Sequence, residues 1–366
     1  MTFLPREDDV ADVLRRAERA VADRPPTIRD REPSAWDGPP LAYYSVGKYA
    51  WPDPSTPDGL PYRRLDCVVN PDASGERYDW ARMGRFVREC RVLVLASHLC
   101  PERRWLDALD RRLTTWFVDR ATAMEPHLDH AAALPGVNDG MWVGIIEGAC
   151  LVSLVQDLEA LLGRHPALPD GLAAAIEGTR AWMARFAHWY RTSDKGLKDA
   201  TATNNHGLWY HLQVLTWTRF ADPGDPELPA LRQRLRTVAA AQIGPDGGLP
   251  HELSRANALG YVVFTLLAVA AVAEDAERTD GSDLLALRAP AGARVGDAFG
   301  YLATRAAELR GEADDAGVPG RRAVLARWMR ERLPEDPAVL RLDARWWPAA
   351  TPEQRLRSAL GLSDWR

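Results

Sequence analysis

The stretch of the chain with the clearest chemical content is the run ATNNHGLWYHLQ, residues 202–213. Asn204 is a good N-cap residue, so we predict that a helix starts directly after it. Residues at i, i+4, i+7 and i+11 share one face of that helix, and they are His206, Tyr210, Gln213 and Trp217. A polar and aromatic face on a helix that also has an apolar stripe indicates a lined cavity. The alternative is a capped helix in which His206 is hydrogen-bonded locally.

A second group of candidate residues follows the Gly- and Pro-rich turn that begins at Gln242. Arg255 ends this segment, and Tyr261 comes six residues later in the next apolar run. On one regular helix, residues at that spacing point about 120° apart. Both reach one site only if Arg255 lies at the helix mouth and Tyr261 lies inside the helix. The alternative is a surface arginine and a core tyrosine.

Two histidine pairs have spacings that raise the question of a metal site. His127 and His130 lie three residues apart, which can suit a metal, but no further ligand has a matching spacing. His206 and His211, five residues apart, are a poorer pair. We therefore predict no metal and no cofactor.

The elements that must position these residues are predicted to be helices. Phe86, Cys90, Leu93 and Val94 recur at helical spacing and predict a helix over about 80–99. No alternation of apolar and polar residues persists long enough for a strand, so we expect few or none. Further amphipathic stretches lie at 102–122, 144–162, 169–191, 205–221, 226–242, 257–275, 294–310, 320–332 and 353–360.

About ten consecutive helices with short connections imply antiparallel neighbours that share a core. A four-helix bundle is too small for 366 residues, and the sequence has no fixed-period repeat of the solenoid kind. Helical hairpins in a closed or nearly closed ring fit this count, and another large α-bundle is the alternative. We predict one domain over 1–366. The tail from about 280 onward has a helical pattern, and we assign most of its tryptophans (Trp328, Trp346, Trp347 and Trp365) to packing.

The segment 25–79 differs from the rest, because prolines recur throughout it and prevent one continuous helix. Loops this long inside a compact domain are usually functional or disordered. Aromatic residues such as Tyr43 and Tyr49 argue against disorder. We predict an ordered arm or lid packed on the helical body, and call it the Pro-rich arm.

Charge and composition narrow the partners. The net charge of −5 gives no general attraction to nucleic acid or to an anionic membrane. The N-terminus lacks the apolar region of a signal peptide, and we see no run near the roughly 20 apolar residues that span a bilayer. The four cysteines lack CxxC spacing, as expected for reduced thiols. We expect a cytoplasmic protein, with a processed, exported form left open.

Four segments, taken in order, resemble the alginate-lyase superfamily. They are KYAWPDPSTPDGLPYRRLDCVVNPD (48–72), EPHLDHAAALPGVNDG (125–140), NNHGLWYHLQ (204–213) and AAQIGPDGGLPHELSRANALGY (240–261). The resemblance covers about 40–275. It implies an all-α fold, an (α/α) toroid or incomplete α/α barrel of helical hairpins, with a central groove and an arm closing over it.

The resemblance also implies an active site. In this family an Asn-His pair, an Arg after "EL" and a Tyr on the following helix act together, and they match Asn205, His206, Arg255 and Tyr261. The implied reaction is β-elimination from a uronate, which removes the C5 proton and expels the C4 oxygen. Asn205 and Arg255 would neutralise the neighbouring carboxylate. Tyr261 or His206 would take the proton, and Tyr261 would protonate the leaving oxygen.

The tyrosine needs help for that role. An unperturbed tyrosine has a pKa of about 10, so a base role requires Arg255 or His206 close enough to depress the pKa of Tyr261. The route needs no metal.

The resemblance further implies substrate contacts. In the Pro-rich arm, Tyr62, Arg63 and Arg64 would grip a substrate carboxylate, and the alternative is a solvated charge cluster near Asp58 and Asp66. We also assign substrate contacts to further residues in the matched segments: Trp51, Asn138, Tyr210 and Gln213.

Four residues depart from the family's pattern. Leu259-Gly260 stands where relatives tend to have an aromatic residue and a histidine, Asn257 where they tend to have a second arginine, and His211 where an acidic residue is more usual. The four catalytic candidates are kept, but their surroundings differ. We therefore expect a carboxylated oligosaccharide or polysaccharide as partner, either alginate-like or another uronate.

Two other functions remain open at this point. One is a non-catalytic carbohydrate-binding protein on the same toroid. The other is a glycoside hydrolase, which needs two carboxylates flanking the scissile bond. Its candidates are Asp139, Glu147, Asp246 and Glu252, although nothing in the sequence pairs them. The sequence does not determine the uronate, the cleavage mode or the oligomeric state.

Overall fold

The structure, a computed structural model, describes residues 6–32, 35–165, 167–311 and 320–362. Helices dominate these residues, and the four strands are only two to four residues long, as the sequence predicts. The strands are β1 (Tyr44–Val46), β2 (Ala50–Trp51), β3 (Arg63–Arg64) and β4 (His130–Ala133). The described helices are α1 (Glu7–Ala22), α2 (Asp79–Leu99), α3 (Arg103–Leu113), α4 (Cys150–Arg164), α5 (Asp170–Thr192), α6 (Asp194–Ala200), α7 (Asn205–Ala221), α8 (Leu228–Ala241), α9 (Pro250–Leu253), α10 (Ala258–Asp280), α11 (Asp297–Arg305), α12 (Arg321–Arg332), α13 (Pro337–Trp346) and α14 (Pro352–Ala359).

Each predicted helical stretch contains an observed helix, but several ends differ, and α6, α9 and α13 were not predicted. The helix predicted over 102–122 ends at Leu113, where the backbone widens into a π-helical turn over Thr114–Val118. The helix predicted over 144–162 begins as a 3₁₀ segment at Trp142–Ala149. Helix α1 was not predicted. Only one of its four buried residues, Val13, is a large apolar residue, so the periodic signal is weak.

The chain divides into two compact units. Of the described residues, those within 6–199, 216–225 and 356–362 belong to unit 1, and those within 200–215 and 226–355 belong to unit 2. That both belong to one domain stays a prediction.

Unit 1 packs its core from large aromatic side chains. Phe86 of α2 stacks on Trp116 with ring centroids 4.6 Å apart, and Phe117 lies 4.8 Å from Trp182 of α5. Burying each such ring removes a large apolar area from water. The Trp182 indole still donates a hydrogen bond, to the carbonyl oxygen of Met124. The core therefore joins the helices without leaving that buried donor unsatisfied.

Within unit 1 the described part of the Pro-rich arm forms short strands and hydrogen bonds with the helices. Strand β1 pairs in parallel with β4, and β2 pairs with β3 in an antiparallel hairpin. Asp79 at the start of α2 accepts hydrogen bonds from the backbone N–H of Tyr44 and from the Arg31 side chain. The Tyr43 hydroxyl donates to Glu147 at 2.5 Å. These bonds tie the arm to the helices of its own unit, and its role as a lid stays a prediction.

A buried charge cluster links three helical segments of unit 1. The Arg357 guanidinium donates to both carboxylate oxygens of Asp157, each at 2.7 Å, and also to the carbonyl oxygen of Arg91. The Arg91 side chain donates to the same carboxylate at 3.0 Å. All three residues are buried. Since one carboxylate serves two guanidinium groups, the removal of either arginine disturbs the whole cluster.

Replacing Arg357 with methionine should lower the free energy of unfolding by about 3–5 kcal/mol, because a buried carboxylate loses its bidentate partner. Urea denaturation followed by circular dichroism measures this loss. Arg103→Met is the control, since the Arg103–Asp107 pair is exposed and should cost less than about 1 kcal/mol. Equal losses in the two variants would contradict the importance of the cluster.

Unit 2 is built around helix α10, most of whose side chains are buried. Asn257 caps its start by accepting a hydrogen bond from the backbone N–H of Gly260, and Gly281 ends it in the left-handed conformation. Phe264 stacks on Trp209 of α7 with centroids 4.8 Å apart. Capping and packing together fix the start of α10, which carries Tyr261.

The prediction that no run is long and apolar enough to span a bilayer is wrong for helix α10. By length and composition it is long and apolar enough to do so, and among the described residues it is the one such helix. Most of the apolar window is buried inside the protein, which is typical of a core helix. The absence of a membrane partner stays a prediction.

Two of the tail tryptophans are buried in unit 2. Trp328 packs against Phe299 with centroids 5.0 Å apart, and Trp346 is buried at the end of α13. Trp347 is half-buried beneath the Arg327 guanidinium. Trp365 lies outside the described residues.

Candidate functional site

The start of helix α7 places Asn205 and His206. The Asn204 side-chain oxygen accepts a hydrogen bond from the backbone N–H of His206 at 3.1 Å, so Asn204 caps the helix as predicted. At Gly207 a Cβ atom would lie 1.9 Å from the carbonyl oxygen of Ala202. Only glycine allows this close approach, so the turn that leads into the Asn-His pair requires Gly207.

A buried carboxylate holds Asn205. Glu252 Oε1 accepts the backbone N–H of Asn205 at 2.9 Å, and Asn205 Nδ2 lies 3.0 Å from both carboxylate oxygens. Each residue is only 1% exposed. Glu252 belongs to the four-residue helix α9, which begins at Pro250. This contact was not predicted from the sequence.

Arg255 and Tyr261 are in contact. The Arg255 guanidinium donates a hydrogen bond to the Tyr261 hydroxyl at 3.1 Å, and its carbon lies 4.1 Å from the centroid of the Tyr261 ring. Arg255 stands between α9 and α10, while Tyr261 lies in the first turn of α10. The two residues therefore do not share one regular helix, so the 120° separation expected on such a helix does not keep them apart. The arrangement with Arg255 at the helix mouth is the one observed.

The Asn205 and Arg255 contacts are joined by the short helix α9. The backbone N–H of Arg255 donates to the carbonyl oxygen of Glu252 at 3.1 Å. Thus one turn of chain carries both the carboxylate that holds Asn205 and the guanidinium that touches Tyr261. The structure brings these four residues of unit 2 into one connected group.

The other α7 candidates differ in exposure. His206 is half-buried, whereas Tyr210 is buried and Gln213 is 0% exposed. A substrate contact by Gln213 would require its side chain to become accessible. The roles of Tyr210 and Gln213 stay predictions.

The candidates in unit 1 form their own contacts. Trp51 donates from its indole nitrogen to the carbonyl oxygen of Val68 at 2.9 Å, and Tyr62 is half-buried. Arg63 pairs with the buried Asp53, and Arg64 lies 3.3 Å from Asp66. Both arginines are exposed.

Asn138 belongs to a turn. Its side-chain oxygen accepts the backbone N–H groups of Gly140 and Leu134. A contact between Asn138 and substrate stays a prediction. Arg63 and Arg64 are accessible, and their contact with substrate also stays a prediction.

The histidines considered as metal ligands have other partners. His127 lies between Glu125 and Asp129, with ring nitrogens 2.9 and 3.2 Å from their carboxylate oxygens. Burial lowers the pKa of His130. Among the described residues, no group of three or more His, Cys, Asp or Glu side chains is arranged to hold a metal ion.

The carboxylates that a glycoside hydrolase would need are engaged in internal hydrogen bonds. Glu147 accepts from Tyr43 and from the Ser45 hydroxyl at 2.7 Å, and Asp246 accepts the backbone N–H of Gly248 at 2.9 Å. Glu252 is bound to Asn205. These bonds give three of the four candidates structural or positioning roles.

His211 lies on α7, at the position where the resemblance leads us to expect an acidic residue. It is buried, its Nε2 atom lies 3.3 Å from the carbonyl oxygen of Ala200, and burial lowers its pKa to about 4. His211 is therefore neutral at neutral pH. A neutral side chain there removes the negative charge that an acid would add.

The free energy of unfolding should fall as the pH drops from about 6.5 towards 4, because the unfolded chain then binds a proton that folded His211 resists. His211→Gln should lose about 2–3 kcal/mol less than the unsubstituted protein between about pH 7 and pH 4.5. Urea titrations at the two pH values measure the difference. Identical pH dependence in both proteins would show that His211 is not the group responsible.

Comparison with known proteins places this geometry in context. The sequence matches the family model described as Alginate lyase over residues 30–310. A search of the curated proteins finds no match.

Solved structures give a closer comparison. An alginate lyase from Bacteroides ovatus is 26% identical, with a TM-score of 0.83 over 97% of this chain and 93% of that chain. Alginate lyase A1-III from Sphingomonas species A1 is 18% identical, with a TM-score of 0.55 and 90% of each chain covered. A variant of alginate lyase A1-III complexed with tetrasaccharide is 17% identical, with a TM-score of 0.54 over 91% of this chain and 90% of that chain. These similarities confirm the predicted all-α, (α/α)-toroid fold class.

Proposed function

Because the chain belongs to the alginate lyase family, and so is a polysaccharide lyase acting on uronate glycans, we propose that it works by β-elimination at a site in unit 2. The reaction breaks the C5–H bond and the C4–O bond and forms a C4–C5 double bond. The proposed active-site residues are Asn205, His206, Arg255 and Tyr261.

The contact between Arg255 and Tyr261 carries this proposal. A guanidinium that donates to a phenol oxygen at 3.1 Å favours the ionised form of that oxygen. In the proposed reaction, ionised Tyr261 takes the C5 proton and then returns a proton to the departing C4 oxygen. A side chain that performs both steps must lie on one side of the sugar, within reach of both atoms. The half-buried His206 is the alternative base.

Removal of a proton beside a carboxylate builds a second negative charge on the uronate. Hydrogen-bond donors and positive charge held at that position stabilise the charge as it develops. Arg255 supplies the positive charge, and Asn205 supplies an amide held in place by Glu252. This division of roles requires no proton transfer from either residue.

The other two functions have less support. A glycoside hydrolase requires a free carboxylate pair, and three of the four candidates already accept internal hydrogen bonds. A non-catalytic carbohydrate-binding protein would have no need of a guanidinium donating to a tyrosine hydroxyl. The partner we propose is a carboxylated oligosaccharide or polysaccharide, and the altered surroundings of Tyr261 leave open a uronate other than those of alginate.

Incubation with a panel of polyuronates and oligouronates should produce the ultraviolet absorbance of the new C4–C5 double bond. Tyr261→Phe and His206→Ala should each lower kcat by about 10²–10⁴-fold, the usual size of an acid–base contribution. Tyr301→Phe is the matched control, because Tyr301 also lies beside an arginine, Arg305, and is not one of the four proposed active-site residues.

No absorbance on any substrate, with binding retained, would favour the non-catalytic alternative. Full activity in Tyr261→Phe would refute its acid–base role. Products with a new reducing end and no unsaturated sugar would indicate a hydrolase.

The Pro-rich arm makes a separate prediction. If Arg64 binds a substrate carboxylate, Arg64→Ala should raise KM by about two- to tenfold and leave kcat nearly unchanged, since uniform binding is lost. Steady-state kinetics on the best substrate measure both constants. Arg103→Ala removes an exposed arginine elsewhere in unit 1 and should change neither. An unchanged KM in Arg64→Ala would contradict the lid.

A further inference from the structure

Glu252 is buried at the start of helix α7, where a carboxylate is expensive unless hydrogen-bonded. It accepts the first backbone N–H of α7 on Oε1, which identifies that oxygen as an acceptor. The positive end of the helix dipole adds to its stabilisation. A purely structural role, that of a helix cap supplied by a distant residue, would explain the backbone contact. It would not explain why Glu252 also binds the side-chain amide of Asn205.

The contact between Glu252 and the Asn205 side chain fixes the orientation of the Asn205 amide. Both Glu252 oxygens accept from Asn205 Nδ2, so the NH₂ end of the amide faces Glu252 and the carbonyl oxygen Oδ1 faces elsewhere. A rotation by half a turn would place two acceptors against each other. Glu252 therefore selects one of the two orientations that an asparagine side chain can adopt.

The geometry also limits how many N–H groups Glu252 can use. Asn205 Nδ2 is 3.0 Å from each carboxylate oxygen. At that distance the two oxygens subtend an angle of about 45°, while the two N–H bonds diverge by about 120°. Only one N–H can point between the oxygens. The second N–H is thereby held in a fixed direction that Glu252 does not occupy.

We propose that Glu252 is a positioning residue for the elimination, which holds Asn205 so that its second N–H meets the carboxyl group of the uronate. This inference rests on the proposed function. In this proposal Asn205 touches substrate and Glu252 acts through it. Because Asn205 is 1% exposed, that contact requires its side chain to become accessible when substrate binds. The exchange of Glu252 for glutamine would offer Asn205 a donor as well as an acceptor, so that the amide could adopt either orientation.

The test is a double-substitution cycle with kcat and KM measured separately. Glu252→Gln should lower kcat by about 10–100-fold, with KM changed less than about threefold, because the lost contact matters most in the transition state. In an Asn205→Ala background the same substitution should lower kcat by less than about twofold, since Glu252 then has no amide to hold.

A matched control separates positioning from stability. Asp275 is another buried carboxylate of unit 2, and it pairs with Arg232 at 3.2 Å outside the proposed site. Asp275→Asn should lower the free energy of unfolding and leave kcat unchanged. Urea denaturation of every variant confirms that each is folded under the assay conditions.

A direct readout of the amide keeps the two proposals distinguishable. In ¹⁵N-labelled protein, the Asn205 side-chain NH₂ signals should exchange hydrogen slowly, and Glu252→Gln should speed that exchange. Unchanged exchange would overturn the positioning role, as would an unchanged kcat or an equal loss of kcat in the Asn205→Ala background. If the unsubstituted protein eliminates no uronate, the proposed function fails, and so does the catalytic part of this inference. The exchange experiment then decides only whether Glu252 holds Asn205.

Discussion

The N-terminal end of helix α7 must meet two demands at once. Its first backbone N–H groups need acceptors, and the same two residues, Asn205 and His206, are the ones proposed to face the substrate. The chain meets the first demand with the Asn204 side chain for His206 and with the carboxylate of Glu252 for Asn205. Because Glu252 also binds the Asn205 amide, helix capping and side-chain orientation become one interaction.

Helix α9 supplies the carboxylate that meets these two demands. The four-residue helix α9, opened by Pro250, places the Glu252 carboxylate at the start of α7. The chain then turns directly into Arg255, whose backbone N–H returns to the carbonyl oxygen of Glu252. The negative charge of Glu252 and the positive charge of Arg255 are therefore placed by the same turn. In the proposed mechanism the first orients a donor and the second faces the developing negative charge.

The local parts of this site could be predicted from the sequence, and the long-range parts could not. The Asn204 cap follows from residue type, and the start of α7 at Asn205 follows from the cap and the apolar period. Glu252 lies 47 residues from Asn205, and no periodicity connects them. A signal was present, since a glutamate stands between the apolar residues Leu249 and Leu253, where burial demands a partner. Which residue is that partner depends on the tertiary fold.

The same distinction applies to the fold. Helical periodicity located most of the long helices, because that signal lies within about 18 residues. It missed the parallel pairing of Tyr44 in β1 with His130 in β4, which joins residues far apart in the sequence. It also overran Leu113, where the π-helical turn keeps a helical pattern of side chains while the backbone changes its hydrogen bonding.

Two of the residues that differ from the family's pattern, Asn257 and Leu259, make hydrogen bonds at the start of α10 in unit 2. Asn257, where relatives tend to have arginine, is the N-cap of α10 and accepts the backbone N–H of Gly260. The backbone N–H of Leu259 donates to the carbonyl oxygen of Arg310 at 2.9 Å. These two bonds fix the turn that carries Tyr261. Replacing Asn257 therefore removes the side-chain cap of this turn, whereas the bond at Leu259 is made by the backbone and persists when that side chain changes.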